Sequence, residues 1–413
     1  MISYNKGSII SNISNDKLDF FTLKTKWDVD TAKKENVYTW FREIDEKLDN
    51  GWVVSQGQEM LMLGGYSYLG LNNNEAINNA AIEAIKSHGT GTSGSPFLAG
   101  TSNIHITLEK KIAKLHKKEA AMIFSSGYQA NISSIAALVD KGDYVICDKL
   151  NHASILDGAQ YSKATVLRYR HNDMLNLEHQ LQKIPTDAKK LLITDSVFSM
   201  SGEPANLPEI IKLCKKYSVL LMVDECHSMY VLGKTGGGIT EYFDIDPDDI
   251  DIIMSTISKA IPASGGYIAA KQEIINFLKH EARGFIYSIA LSPVAASAGL
   301  MALSIFETSR QELVSKLHNN TKTFKEALNT LGVSIGNSIT SIVPILIGDT
   351  TKAAHIAKQC QDEGLYIHAI FPPVVPEGKA ILRASIKASH TDSDLLMSAQ
   401  KISTIINNYN TKP

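Results

Sequence analysis

Five short apolar runs, "YVICD" (144–148), "TVLRY" (165–169), "LLITDS" (191–196), "VLLMVDE" (219–225) and "DIIMS" (251–255), are separated by stretches of helical period such as "LNLEHQLQKI" and "LPEIIKLCKKY". Runs of that length, alternating with helices, predict a mostly parallel sheet covered by helices on both faces, an α/β fold. After about residue 295 the texture changes. A helical region, "LVSKLHNNTKTFKEALNTLG", precedes two strand-like runs, "SIVPILIG" and "AILRASI", and a final helix, "DSDLLMSAQKISTIINNY", which predicts a smaller α+β domain.

The 413 residues suit one large domain and a smaller one. The expected division is an N-terminal extension over 1–55, a large domain over 56–295 and a C-terminal domain over 296–413. The extension reads as polar and irregular, lying on the surface, apart from a helix around "TAKKENVYTWFREIDEKL". "EAINNAAIEAIKSHG" and "HITLEKKIAKLHKKEAAM" both carry helical spacing. A net charge of -2 with 20% charged and 44% apolar residues removes the electrostatic argument for nucleic acid or an anionic membrane. Cys147, Cys214, Cys226 and Cys360 form no C-x-x-C pair and read as reduced thiols in a cytoplasmic chain, with no metal site. No secretory signal is expected. The uncharged stretch "SIALSPVAASAGLMALSIF" is interrupted by serines and Pro293, so a buried helix is expected rather than a membrane span.

In open parallel sheets ligands gather beyond the carboxyl ends of the strands. After "YVICD" stands His152; after "LLITD", Ser199; Asp224 closes "VLLMVD" and His227 follows it; after "DIIMST" comes Lys259. Singly, such an acid is a common helix cap, a histidine a satisfied structural residue, a lysine solvated surface. One acid, two histidines, a hydroxyl and a lysine on a single sheet edge favour a reaction site. A lysine that forms an imine with an aldehyde must be partly desolvated, because an ordinary pKa near ~10.4 leaves the amine protonated. A pyridine aldehyde supplies the remaining logic, with Asp224 holding the ring nitrogen protonated and one histidine stacked on the ring. A phosphate needs free amides at a helix N-terminus, and Ser125, Ser126 and Gly127 open such a run in "SSGYQANISSIAAL". Pyridoxal 5'-phosphate meets these demands. "GTGTSG" (89–94) has the G-x-G-x-x-G spacing, but a helix precedes it and Pro96 follows, so it is not read as a dinucleotide site.

The segments "GTGTSGSPFLAGTSNIHITLE", "FSSGYQAN", "LNHASILDG", "TDSVFSMSGE", "VDECHSMYVLG", "TISKAIPASGGY" and "PPVVPEGKAILRASIKASHT" resemble, in order, those of the α-oxoamine synthases, fold-type I pyridoxal-phosphate enzymes. The resemblance runs from "YSYLGL" at 66 to about 391. It implies a fold-type I transferase with a seven-stranded, mostly parallel sheet. It also implies decarboxylative condensation of an amino acid with an acyl-CoA, or an acyl carrier protein, to an α-amino ketone. By this likeness Lys259 is the Schiff-base lysine, Asp224 the partner of the pyridine nitrogen, His152 the ring-stacking residue and His227 a ligand of the cofactor's phenolic oxygen. Ser126, Thr256 and the Gly127 and Tyr128 amides hold the phosphate, Ser199 lines cofactor and substrate, and Arg383 clamps the amino-acid carboxylate. The family implies a homodimer with shared sites, to which Ser292 contributes across the subunit boundary.

Departures from the pattern stand at Tyr66, where many members have a carboxylate-gripping asparagine, at Pro96, where arginine is frequent, and at Ile261 and Pro262 after the lysine. "EYFDIDPDDIDIIMSTISKAIPASGGYIAA" and "FLKHEARGFIYSIALSP" look most like serine palmitoyltransferases, which implies L-serine and a long-chain acyl-CoA. Sibling enzymes using another amino acid and thioester, or a catalytically silent partner subunit, are the alternatives. The presence of Lys259 argues against the silent subunit.

Overall fold

The computed structural model describes residues 29–411. In chain order, β1 (Glu46–Lys47), β2 (Trp52–Ser55) and β3 (Gln58–Met62) precede β4 (Ala120–Phe124), β5 (Tyr144–Asp148), β6 (Thr165–Tyr169), β7 (Lys190–Asp195), β8 (Leu220–Asp224), β9 (Ile252–Thr256) and β10 (Gly266–Ala270). The strands β11 (Ile342–Gly348), β12 (Leu365–Tyr366), β13 (His368–Ile370) and β14 (Ala380–Ser385) follow.

β4 to β10 form a seven-stranded sheet in the order β4-β10-β9-β8-β7-β5-β6, in which only β10 runs against its neighbours. The five apolar runs are its strands β5 to β9. β4 and β10 lie outside the expected set: the helical spacing extends through "EAAM", but the helix Asn103–Leu115 ends before β4 begins. Leu191, Leu192, Ile193, Met222, Val223 and Ile252 are all fully buried. Each side chain removed from water in this way contributes roughly 1.5–3 kcal/mol, which holds the strand ends as a fixed platform. The helix Leu207–Tyr217 shows how the covering layer is encoded: Leu207, Ile210, Ile211 and Cys214 recur at helical spacing and face the sheet. Ser218 then turns the chain into β8 with a left-handed φ of 51°.

The helix Pro293–Thr330 starts behind a Ser292 cap and links two cores. Ala296, Ala302 and Phe306 pack on the large sheet, whereas Phe324 and Leu328 pack in the C-terminal unit. The expected division at 295/296 therefore falls within one continuous helix. No helix among the described residues is long and apolar enough to cross a membrane.

The C-terminal unit has an antiparallel sheet, β11-β14-β13, backed by the helices Thr350–Asp362 and Asp392–Asn410. β3 pairs in parallel with β12, and Ala32, Val37, Leu61 and Leu63 share a core with Ile356, Leu382 and Leu395. The described part of the extension is thus built into the C-terminal unit rather than laid on a surface. Its expected helix is also shorter, covering only Val29–Lys34, and the chain passes through left-handed Asn36 and Phe41 before reaching β1. Residues 1–28 lie outside the described part.

Candidate active site

Asp224 and Asp195 end adjacent parallel strands at paired positions, so their carboxyls rise side by side from the sheet edge. Asp224 Oδ1 accepts from the Cys226 amide at 2.9 Å, and Oδ2 accepts from Asn131 Nδ2 at 2.8 Å. Burial, reinforced by the Asp224 charge, pushes the Asp195 carboxyl well above the ordinary range. Asp195 Oδ2 accepts from the backbone N–H of His152 at 2.8 Å. His152 opens the helix Ala153–Tyr161 and keeps its imidazole exposed, while Ser154 Oγ lies 2.7 Å from its Nδ1. Asn131 Nδ2 also reaches Ser154 Oγ at 2.9 Å. One hydrogen-bonded chain therefore runs from Asp224 through Asn131 and Ser154 to His152.

Lys259 Nζ lies 2.9 Å from His227 Nε2, and His227 Nδ1 lies 2.7 Å from Tyr68 Oη. Burial holds His227 well below its ordinary pKa, with Lys259 and Arg383 adding to the effect, so the ring is neutral. Burial alone would lower Lys259 too, but Cys226, Asp224 and the Tyr68 and Tyr66 phenols outweigh it and the ammonium sits above its ordinary value. The lysine is desolvated as expected, yet these partners favour its charged form. A charged ammonium only donates, so Nε2 of His227 accepts and the Nδ1 hydrogen points to Tyr68.

The helix Gly127–Leu138 begins behind Ser126, whose Oγ accepts from the Gln129 amide at 3.2 Å. The Gly127 and Tyr128 amides, in the first turn, have no partner within their own helix. A Cβ at Gly266 would come within 2.5 Å of Gly127 Cα, so glycine there lets β10 pass against the turn. Thr256 Oγ1 donates to the Gly265 carbonyl at 2.6 Å and lies 2.6 Å from Ser258 Oγ. Its hydroxyl is thus engaged within its own loop. The Tyr128 phenol hydrogen-bonds Asp157.

Arg383, on β14, is almost wholly buried. Its Nε donates to the Ser199 carbonyl at 2.7 Å and its Nη1 to Ser385 Oγ at 2.7 Å, while Nη2 has no partner. Ser199 thus reaches the site through its backbone. The Tyr66 ring lies between two cations, 5.1 Å from the Arg383 guanidinium carbon and 5.8 Å from Lys259 Nζ. Tyr66 also lines two cavities. One, of about 630 Å³, is lined by Lys259, Ser258, Pro262 and Ser292; the other, of about 320 Å³, by Arg383, Tyr38, Trp40, Met200 and Ile370. Ser292 lines the cavity of its own chain while its Oγ caps the long helix through the Ala295 amide.

Sequence reasoning missed Tyr68, Asn131 and Asp195. Asp195 carried a signal, because it closes its apolar run as Asp224 does. Among the described residues no group of three or more metal-ligating side chains comes together.

Asp224 at a strand end, a desolvated lysine whose charge it favours, an exposed imidazole tied to the same acid, and uncommitted amides at a helix start fit pyridoxal phosphate. The Asn131 oxygen, buried and unpartnered, lies within the same constellation. The family profile described as Aminotransferase class I and II matches residues 58–402. A serine palmitoyltransferase from Sphingobacterium spiritivorum is 38% identical over 374 residues, covering 91% of this chain and 93% of its own. An 8-amino-7-oxononanoate synthase from Thermoanaerobacter pseudethanolicus is 41% identical, with 92% and 94% covered. Among solved structures, the Sphingomonas wittichii serine palmitoyltransferase superposes with a TM-score of 0.89 at 27% identity, covering 94% of this chain and 98% of its own. The 8-amino-7-oxononanoate synthase of Francisella tularensis gives 0.72 at 26% identity, covering 84% and 98%. Pyridoxal 5'-phosphate is the cofactor these relatives indicate, and an amino acid and an acyl thioester are the substrates. The chain belongs to the aminotransferase class I and II family and, within it, to the α-oxoamine synthases.

Proposed function

We propose that this α-oxoamine synthase condenses L-serine with a long-chain acyl-CoA, palmitoyl-CoA, releasing carbon dioxide and coenzyme A and forming 3-ketodihydrosphingosine for sphingolipid synthesis in the cytoplasm. The observation that carries this reading is the closer superposition on serine palmitoyltransferases than on the 8-amino-7-oxononanoate synthase. Sequence identity does not separate the two kinds, at 38–41% to serine palmitoyltransferases and 39–41% to 8-amino-7-oxononanoate synthases, so another small amino acid with another thioester is the competing reading.

When bound, the cofactor supplies an electron sink for the charge left at the substrate α-carbon. Asp224, fixed by Cys226 and Asn131, pairs with the ring nitrogen, and His152 covers the ring face. His227 meets the phenolic oxygen. Ser126 and the Gly127 and Tyr128 amides hold the phosphate, Thr256 joining them by turning its hydroxyl away from the Gly265 carbonyl, with Ser199 beside cofactor and substrate. Arg383 turns its unpartnered Nη2 to the amino-acid carboxylate, and Tyr66 packs on that guanidinium. Lys259 takes and returns the α-proton. Its contact with His227 gives the amine a neutral acceptor once the substrate has taken its place.

A homodimer is part of the proposal. Phe97, Leu98, Tyr287 and Ile289 are exposed apolar side chains on loops joined by the Ala290 N–H to Gly94 carbonyl bond. Ser125 Oγ donates to the Ile289 carbonyl, which sets this face beside the start of helix Gly127–Leu138. Ser292 lines the Lys259 cavity of its own chain, so a second copy covering this face need not deliver that serine from across the boundary.

The test is an absorbance titration of the holoenzyme with serine, glycine and alanine, followed by acyl-CoA of graded length. Serine should perturb the cofactor spectrum at the lowest concentration, and long chains should support release of coenzyme A. A stronger response to glycine or alanine would discard the serine reading.

A further inference from the structure

Lys387 is a buried lysine that the reaction, as assigned above, does not use. It follows β14, is only 6% exposed, and lines the same cavity as Lys259 and Tyr66. Lys47 lines that cavity as well. Among the described residues neither lysine has a carboxylate within ion-pair distance. Asp49, on the same wall, pairs with neither. The close packing is built in: a Cβ on Gly51, at a φ of +82°, would stand 3.5 Å from Lys387 Cδ and 2.6 Å from His390 Cδ2. Burial, with Lys47 adding to it, lowers Lys387 to about 8, so the site holds positive charge against a desolvation cost that a bound anion would offset.

The other anions of the reaction already have places. The amino-acid carboxylate is assigned to Arg383, which lines the second cavity, and the cofactor phosphate to Ser126, Gly127 and Tyr128, none of which lines this one. The anion left over belongs to the acyl thioester. We propose that Lys387, with Lys47 beside it, forms an oxyanion-binding subsite for the acyl donor. With a long-chain acyl-CoA the oxyanion is a phosphate of the coenzyme A carrier; under the competing reading, with another thioester, it is a carboxylate at the far end of the acyl chain. This rests on the reading of the chain as an α-oxoamine synthase.

Calorimetric titration of the holoenzyme with coenzyme A and with adipate, for wild type, Lys387→Met and Lys387→Arg, tests it. If the anion is the carrier phosphate, Lys387→Met weakens coenzyme A binding about tenfold or more, the loss of a charge-assisted hydrogen bond, and Lys387→Arg restores most of it. If it is a chain-end carboxylate, the same loss and rescue fall on adipate. A Lys387→Met protein that keeps wild-type melting and binds both probes as wild type does overturns the proposal, as does a wild type that binds neither. Spectral titration with the amino acid is the control and stays unmoved. Lys387-dependent binding in an enzyme that consumes no thioester would sink the reaction and spare the subsite; thioester turnover with Lys387-independent binding would do the reverse.

Discussion

The side-chain amide of Asn131 lies 2.8 Å from Asp224 Oδ2 and spends its second hydrogen on Ser154 Oγ, so one residue links the acid proposed to pair with the ring nitrogen to the histidine proposed to cover the ring. A hydrogen bond to a carboxylate is worth about 1.5–3 kcal/mol, and Asn131→Leu removes it while filling the space. Cofactor affinity, read by absorbance titration of the apoprotein, should fall at least tenfold. An affinity within twofold of wild type would show that the Asp224 carboxylate needs no such support.

Tyr68 is fully buried, and its hydroxyl lies 2.7 Å from His227 Nδ1. With Nε2 turned to Lys259, the His227 Nδ1 hydrogen has nowhere else to go. Tyr68→Phe keeps the ring and strands that hydrogen, at a cost of about 1–3 kcal/mol. Urea unfolding of the apoprotein should show a loss of that size.

The strands β5 to β9 were legible because each is a short apolar run bounded by polar residues, and their ends carried the chemistry. β4 and β10 were not. The alanines of β4 follow an amphipathic helix after a break of only four residues, and β10 starts within the glycine pair that follows Lys259 and carries only two large apolar side chains, Tyr267 and Ile268. Each lies next to a louder signal. Asp224, His227 and Lys259 were visible as types of residue at strand ends. Tyr68 and Asn131 were not, because a phenol before "LG" and an amide one turn into a helix declare nothing until folding sets them against His227 and Asp224. The N-terminal strands were missed for a similar reason: β3 finds its parallel partner β12 some 300 residues later in the chain, a pairing that local periodicity does not encode.

Glu225 supplies the pH prediction. Its carboxyl is buried beside Asp224, accepts from Ser228 Oγ at 2.8 Å and from the Ile239 amide at 3.1 Å, and is pushed up to about 7, chiefly by burial. An acid whose folded pKa is raised keeps its proton when the unfolded chain has already lost it. Stability therefore falls as pH rises from about 4.5 to about 7, by a total of about 3 kcal/mol from this group. Glu225→Gln removes the titration. Unfolding midpoints at pH 5 and pH 8 should show the variant gaining on wild type at the higher pH; a gap that does not change with pH would place the titration elsewhere.

Arg383 tests the proposed carboxylate clamp. Its Nε and Nη1 are spent on Ser199 and Ser385, so the arm left for a substrate is Nη2, held rigid by two anchors and by the Tyr66 ring. Lysine keeps the charge but can satisfy neither the anchors nor a planar approach to a carboxylate. A lost charge-assisted hydrogen bond of about 1.5–3 kcal/mol predicts a rise of roughly ten- to hundredfold in the amino-acid concentration that half-saturates the spectral change in Arg383→Lys. Because the Ser199 segment loses its anchor as well, Ser385→Ala separates the two effects: it frees Nη1 without touching Nη2. Its half-saturation should stay within about threefold of wild type, the scale of one modest hydrogen bond. If Ser385→Ala weakened amino-acid binding as much as Arg383→Lys, the guanidinium would be acting as a structural strut for β14 rather than as the hand that holds the carboxylate.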